Sequence, residues 1–477
     1  MTSLLERLQA ASENPSDDTS AFVLANLDNI LAGRPPELRR VLATAAVPHI
    51  WNETLLSEIL DDDLAIDSAG WLARLCELSV VERIPDTDRF AVHEVSRLAL
   101  RAQLFREGRL EAISRRTLLA MGNVAEHASA SDEIERLYHQ LVAEPEFGAN
   151  VLEATSLRWH NDGVQDALKL LASALSELHT QLSAPARAMA LFVRSQICRD
   201  TVPASQILED ATAAAELFER LGQKRQQALA RDLAGDARVA LGDVRSAEAC
   251  YQLGLTLRRE LLEIDSSVSQ WQRDLSVSFE KLGDLATAQG NLPEAQRLFG
   301  ESLRIRQRLA ESDPANAEWQ RDLSVSFSRL GNLATAQGNL PEAQRLFGED
   351  LRIAQRLAES DPANAEWQRD LSVSFNKLGD LATAQGNLPE AQRLFGESLR
   401  IAQRLAESDP ANAAWQRDLW VSYSRMADLS EQLGQAAEAK GWWKKSYDTL
   451  AGMKQRGLHV SPEDEGFLER LRSKAGG

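Results

Sequence analysis

Cysteine is scarce, aromatic side chains are few, and no long apolar run appears anywhere. The three cysteines among 477 residues, Cys76, Cys198 and Cys250, are odd in number and far apart. That excludes a disulfide framework and a paired-cysteine zinc site, and it reads them as small buried apolar residues of a reducing compartment. No segment approaches the ~18 apolar residues that cross a bilayer. Met1 to Leu8 carries Glu6 and Arg7 and runs into the polar Ser12 to Ser20, so it lacks the apolar centre of a secretory signal. A cytoplasmic protein with no membrane partner is expected. Positive charge is also short: 53 Lys and Arg face 71 Asp and Glu, a formal charge of −18. The average surface therefore repels phosphate, and nucleic acid is not an expected partner.

Chemistry-bearing motifs are missing too. There is no H-E-x-x-H, G-x-S-x-G, C-x-x-C or G-x-x-x-x-G-K-[ST] segment. The histidines, among them His49, His127, His139, His160 and His179, do not recur four apart as paired metal ligands on a helix do. They read as isolated structural residues. Carboxylates such as Glu301 and Asp313 read as a solvated helix face. The chain is thus expected not to be an enzyme and to hold no cofactor and no metal.

What the sequence has in abundance is helix-forming residues. Hydrophobic residues at 44% exclude wholesale disorder, and only 6% are aromatic, so helices packed through small side chains are expected. The length exceeds what one compact core serves. The answer is a repeat. Trp271, Trp319, Trp367 and Trp415 stand 48 residues apart, each opening a WQRDL or WQRDLW segment. Three copies continue as LG[DN]LATAQGNLPEAQRLFGE; the fourth reads MADLSEQLGQAAEAKGWW.

Within one unit, Trp271, Leu275, Leu282 and Leu285 share a helical stripe and define helix A. Gly290, Asn291 and Leu292 make a turn, with Pro293 at a position where a helix start tolerates a missing amide proton. Helix B carries Ala295, Leu298, Phe299, Ile305 and Leu309 and stops near Ser312, Asp313 and Pro314. Gly283, Gly331 and Gly379 lie inside helix A, where glycine costs about 1 kcal/mol against alanine. Close helix crossing explains them; leftovers of duplication are the alternative.

Phe279, Leu282, Gly283, Gly290, Leu292, Ala295, Phe299 and Leu303 fall in the order and spacing of the tetratricopeptide repeat, which this unit resembles. The unit is longer than the family's by roughly four helical turns, placed around DPANAEWQRD. Gly235, Asp236, Gly242, Asp243, Ala247 and Tyr251 lie 48 residues before their counterparts, so a divergent repeat precedes Trp271. The resemblance implies an all-α, right-handed superhelical solenoid whose concave face is lined by helix A. Carried onto this chain, the groove candidates are Glu280, Asp284, Thr287, Ser328, Asn332, Thr335, Asn376, Asp380, Thr383, Ser424 and Asp428. The near-identical second and third copies differ at Ser328 and Asn376, Arg329 and Lys377, Asn332 and Asp380, Asp350 and Ser398. Tuning toward successive parts of one ligand and drift on solvated positions both explain this. Trp442 and Trp443 read as the core of the last hairpin, because a terminal repeat must cover an open apolar face.

Residues 34–108 read differently. RPPELRRVLATAAV, NETLLSEIL and SAGWLARLCEL are helices, and VVERI and RFAVHEV flank a PDTD turn as a hairpin. This is a winged-helix pattern. A DNA-reading third helix needs basic or amide side chains, whereas Asp67 to Leu78 offers Arg74 against Asp67 and Glu77, after Asp61, Asp62 and Asp63. PPELRRVLATAAV, WLARLCELSVVER and FAVHEVSRLALRAQL instead resemble the winged-helix domain of the signal-transduction ATPases with numerous domains. His93 and Glu94 occupy the place of that family's His-Asp pair, whose histidine contacts a nucleotide diphosphate. His93 itself reads as a partly buried residue packing the hairpin onto the next helix.

The expected organisation is a linker or leader helix over 1–33, a winged-helix-like domain over 34–108, divergent repeat-like helices over 109–222, the solenoid over 223–457 and a capping helix and tail over 458–477. The expected function is a protein-interaction scaffold or sensor arm that takes a protein or peptide in its groove. A homo-oligomer, or association with a nucleotide-binding partner, is left open. Two other readings remain: a winged-helix DNA-binding regulator with a ligand-sensing repeat domain, and a regulatory fragment of such an ATPase.

Overall fold

A computed structural model describes residues 17–122, 129–161, 164–199 and 202–475. Met1 to Leu8 and His127 lie outside the described residues. The chain divides into two units, Met1–Leu257 and Arg258–Gly477.

The first unit opens with α1 (Asp17–Leu31), α2 (Glu37–Ala45), α3 (Glu53–Ile59), α4 (Asp62–Ala65) and α5 (Ser68–Cys76). Asn52 and Asp67 start α3 and α5 by accepting the amide protons of Leu55 and Gly70, which satisfies donors that a helix start leaves open. The extra turn α4 is built from the acidic run, whose charges suit a helix N-terminus. Asp61 and Asp63 also hold Arg40 at 2.7 and 3.1 Å. The hairpin follows as β1 (Val81–Arg83) and β2 (Phe90–Val92), antiparallel with Val81 opposite Val92. Its turn places Asp86 at φ 59, a left-handed conformation that a short polar side chain tolerates. Trp51 adds a bridge to Phe90, with amide–carbonyl bonds of 2.9 and 2.7 Å.

Next come α6 (Glu94–Arg106), α7 (Leu110–Met121), α8 (Ala130–Ala143), α9 (Pro145–Asn161), α10 (Gln165–Leu178), α11 (Ala184–Ile197), α12 (Ala204–Arg220), α13 (Lys224–Ala240) and α14 (Val244–Ile264). One buried cluster runs from Val23 to Ala234, so the hairpin module and the helices after it share a core. Cys198 is buried, but Cys250 is half-buried and Cys76 exposed. At the end of α5 the neighbouring Leu75 takes the inward position and turns Cys76 outward, which corrects the expectation that all three are buried.

The second unit is a succession of helical hairpins. Its A and B helices are α15 (Ser269–Ala288) and α16 (Leu292–Ser312), α17 (Ala317–Ala336) and α18 (Leu340–Ser360), α19 (Ala365–Ala384) and α20 (Leu388–Ser408), α21 (Ala413–Gln432) and α22 (Ala436–Gln455), followed by α23 (Pro462–Ala475). Gly290, Gly338, Gly386 and Gly434 close the A-to-B turns at φ 73 to 75, where a Cβ would be strained. Asn291, Asn339 and Asn387 cap the B helices; Asn316, Asn364 and Asn412 cap the later A helices. Asp313 to Asn316 alone separates α16 from α17. The extra length around DPANAEWQRD is therefore mostly helical, since helix A begins at Ala317, and the helices reach 20 and 21 residues.

Ala295, Leu298, Phe299, Ile305 and Leu309 are buried on helix B, each larger side chain contributing about 1.5–3 kcal/mol through burial. Against them lies Gly283. A Cβ there would meet the Phe299 ring at 2.5 Å, and the same holds for Gly331 with Phe347 and Gly379 with Phe395. Close crossing accounts for these glycines. At the far end Trp443 is buried, and Trp442 stacks on Tyr423 at 5.8 Å.

Candidate partner-binding face

The helix A face is built from positions that repeat with the unit. Asp284, Asn332, Asp380 and Asp428 occupy one row and are all exposed; Thr287 and Thr335 are exposed and Thr383 half-buried in the next. Each of these threonines donates its hydroxyl to the carbonyl four residues earlier, at 2.8 to 2.9 Å. Their methyl groups are thereby fixed in orientation. Between repeats, Asp284 pairs with Arg329 and Asp380 with Arg425. Burial raises the Asp380 carboxyl, and the Arg425 guanidinium opposes that rise. A depression of about 500 Å³ lies between the third and fourth repeats, lined by Asp380, Thr383, Asp428 and Arg425 over the ring of Phe395.

Four candidates sit deeper. Glu280 and Ser328 are buried, and Asn376 and Ser424 half-buried. Glu280 lies 2.5 Å from Arg306 of helix B, which also bonds Ser276 and Ser326 at 3.0 and 3.1 Å. Glu280 and Ser328 therefore belong to the packing between helices and are removed from the accessible face. Where Arg306 gives way to Ala354 and Ala402, the acid at position 280 gives way to Ser328 and Asn376. Within the second hairpin Asp350 accepts from Ser324, and across to the third Lys377 donates to Ser328. Most of the difference between the second and third copies thus lies in contacts between packed helices. Only Asn332 and Asp380 differ on the open face.

A second motif, which the apolar spacing does not mark, joins the repeats. Arg273, Arg321 and Arg369 reach forward to Asp322, Asp370 and Asp418 of the following unit. Arg417 meets Asp464 of α23 at 2.7 and 3.0 Å. The Arg and Asp of WQRDL thereby bond across successive units, and the capping helix supplies the last acid. The signal in the sequence is the recurrence of both residues in every copy.

Residues 277–316, 324–364 and 372–411 match the family model described as the tetratricopeptide repeat. These three segments are tetratricopeptide repeats. No curated protein matches the sequence. Among solved structures, BtubC (BKLC) from P. vanneervenii is 19% identical, covering 55% of this chain and 95% of its own, with a TM-score of 0.43. The apo quorum sensor NprR from B. thuringiensis is 12% identical, covering 79% and 97%, with 0.42. A signal-transduction ATPase with numerous domains and a tetratricopeptide repeat sensor, from Pyrococcus horikoshii, is 13% identical, covering 95% and 69%, with 0.31. No helix among the described residues is long and apolar enough to cross a membrane. No group of three or more His, Cys, Asp or Glu there is arranged to hold a metal.

In the first unit His93 stands exposed at the start of α6, 3.6 Å from Glu82. Its exposure corrects the expectation of a partly buried residue; the chain leaves β2 there with the side chain turned outward. Arg74 lies over the Trp71 ring at 4.6 Å.

Proposed function

We propose that the tetratricopeptide repeats bind an extended segment of a protein partner along their A helices. The row Asp284, Asn332, Asp380 and Asp428 carries this reading, because it presents one exposed polar side chain per repeat on successive helices. Preformed helical hairpins order a bound segment with little rearrangement of their own. Pairing of Asp284 with Arg329 and Asp380 with Arg425 supports a partner held by hydrogen bonds and apolar contact rather than by one strong field. Half-exposed Val325 and Val373 supply the apolar part.

DNA reading by α5 is disfavoured. Its one arginine, Arg74, is spread over Trp71, and acids flank the helix. The test of the binding proposal is charge reversal at Asp284 and Asp380. The partner retained by the intact chain should bind the Asp284→Arg, Asp380→Arg protein at least ~10-fold more weakly, a loss of about 1.4 kcal/mol, with helix content unchanged. Equal affinity would remove the helix A face from consideration.

A further inference from the structure

A dense cluster of charged side chains lies in the first unit, around His49 in the segment between α2 and α3. The His49 Nδ1 is 2.6 Å from Glu135 and its Nε2 is 3.4 Å from Glu177, while its backbone amide donates to Glu135 at 3.0 Å. One imidazole is therefore gripped by α8 and α10. From α6, Arg97 donates to Glu177 at 2.6 Å and to the Tyr138 hydroxyl at 3.2 Å. Arg101 donates to the carbonyl of Val47 at 2.5 Å. On α8, His139 lies 3.2 Å from Glu135, and the Tyr138 ring meets His49 edge-on at 4.5 Å.

His49, Arg97, Glu135 and Glu177 form one wall of a cleft of about 880 Å³. Its other walls are Trp51 and Leu55, Glu82 and Arg89 of the hairpin, His93 and Glu94 at the start of α6, and Ser131 and Asp132 at the start of α8. The hairpin is mechanically tied to His49. Two residues along, Trp51 exchanges both backbone bonds with Phe90, and the rings of these two residues stack at 5.3 Å. Whatever holds His49 against Glu135 and Glu177 also holds the hairpin over the cleft.

We propose that His49 is a proton-operated latch: protonated, it is clasped by Glu135 and Glu177 and holds the walls of the cleft together, and on losing its proton it frees the 46–52 segment and the hairpin to move away from α8 and α10. A cationic imidazole can donate to both carboxylates at once, whereas the neutral ring has one donor. The two half-buried carboxylates are then left with Arg97 and the Tyr138 hydroxyl on Glu177 and the His139 ring on Glu135, and each loses a charge-assisted bond that the cation supplied.

The direction of titration agrees. Burial alone lowers the His49 imidazole, and hydrogen bonds with Glu135 and Glu177 overcome it, so it is raised above its ordinary value. A raised histidine stabilises the fold fully below its unfolded pKa of about 6.5 and loses that contribution as pH rises through the folded value. His139 acts in the opposite sense. Burial lowers it, so the unfolded chain takes up the proton first as pH falls. The two effects partly cancel in the global melting temperature, and the latch must be read locally.

The experiment is hydrogen exchange at the amides of Trp51 and Phe90 in the full chain, corrected for intrinsic chemistry. Exchange should be about 10-fold faster at pH ~8.5 than at pH ~6. His49→Gln should exchange fast at both values, and His93→Gln should keep the pH dependence. A flat profile in the intact chain, a pH dependence that survives His49→Gln, or its loss in His93→Gln would each overturn the proposal. Should His49→Gln fail to fold, direct titration of the imidazoles in the unaltered chain decides: a His49 midpoint above ~6.5 supports the latch and one at or below it refutes it.

Discussion

Arg321 and Asp370, in neighbouring repeats, are joined by two parallel hydrogen bonds, Nε to Oδ2 at 2.5 Å and Nη2 to Oδ1 at 3.3 Å. The same fork recurs along the unit and ends on Asp464. It fixes the register of each A helix on the next, because a guanidinium fork accepts a carboxylate in one orientation only.

Both partners are partly exposed, so the fork is worth little individually. A double-mutant cycle on Arg321→Ala and Asp370→Ala is expected to give a coupling of about 0.5–1 kcal/mol by denaturant unfolding. Arg417 and Asp464 should couple more strongly, because Asp464 is 2% exposed. Equal coupling at both sites would contradict the burial argument.

Glycine substitutions separate packing from propensity. Gly331→Ala should destabilise by about 1–3 kcal/mol, since the new Cβ meets the Phe347 ring at 2.5 Å. At Gly348, on helix B, an added Cβ would find nothing within 4 Å, and Gly348→Ala should stabilise by about 0.5–1 kcal/mol. Melting temperatures shifted in the same sense by both changes would contradict this explanation of the glycines.

The buried Arg306 and Glu280 pair predicts an asymmetry. Arg306→Ala leaves the buried Glu280 with the Ser326 hydroxyl and, at 3.7 Å, Arg329 and should cost about 3 kcal/mol, whereas replacing both residues with apolar ones of similar size should be near neutral. Chemical denaturation of the single and double variants measures the difference.

Acid should weaken the first unit. Burial raises the carboxyl of Glu177, but the bonds from His49 and Arg97 outweigh it and hold it far below the usual carboxylate range. A lowered acid stabilises above its unfolded pKa of about 4.3 and loses that contribution as pH falls toward the folded value. Glu177→Gln should accordingly flatten the decline in stability below pH ~4.3, measured by urea unfolding across pH. An unchanged decline would show that Glu177 does not carry the effect.

The period, the hairpins and the crowding at Gly283 are legible in the sequence because each follows from local spacing within 48 residues. The depth of Glu280 is not. A charged side chain reads as exposed until Arg306 arrives from helix B to pair with it, and that depends on helix rotation rather than on pattern. His49 reads as isolated because its partners lie 86 and 128 residues away. No helical spacing connects such positions; only the packing of α8 and α10 on the α2–α3 segment does.

Whether a partner covers the A helices can be measured directly by thiol protection. Single cysteines at Thr335 and Thr383, in a background lacking Cys76, Cys198 and Cys250, should lose thiol reactivity about 10-fold when the partner retained by the chain is added, while a cysteine at Glu349 on helix B keeps its rate, a protection equal to about 1.4 kcal/mol. Protection at Glu349 with none at Thr335 and Thr383 would contradict binding along the A helices.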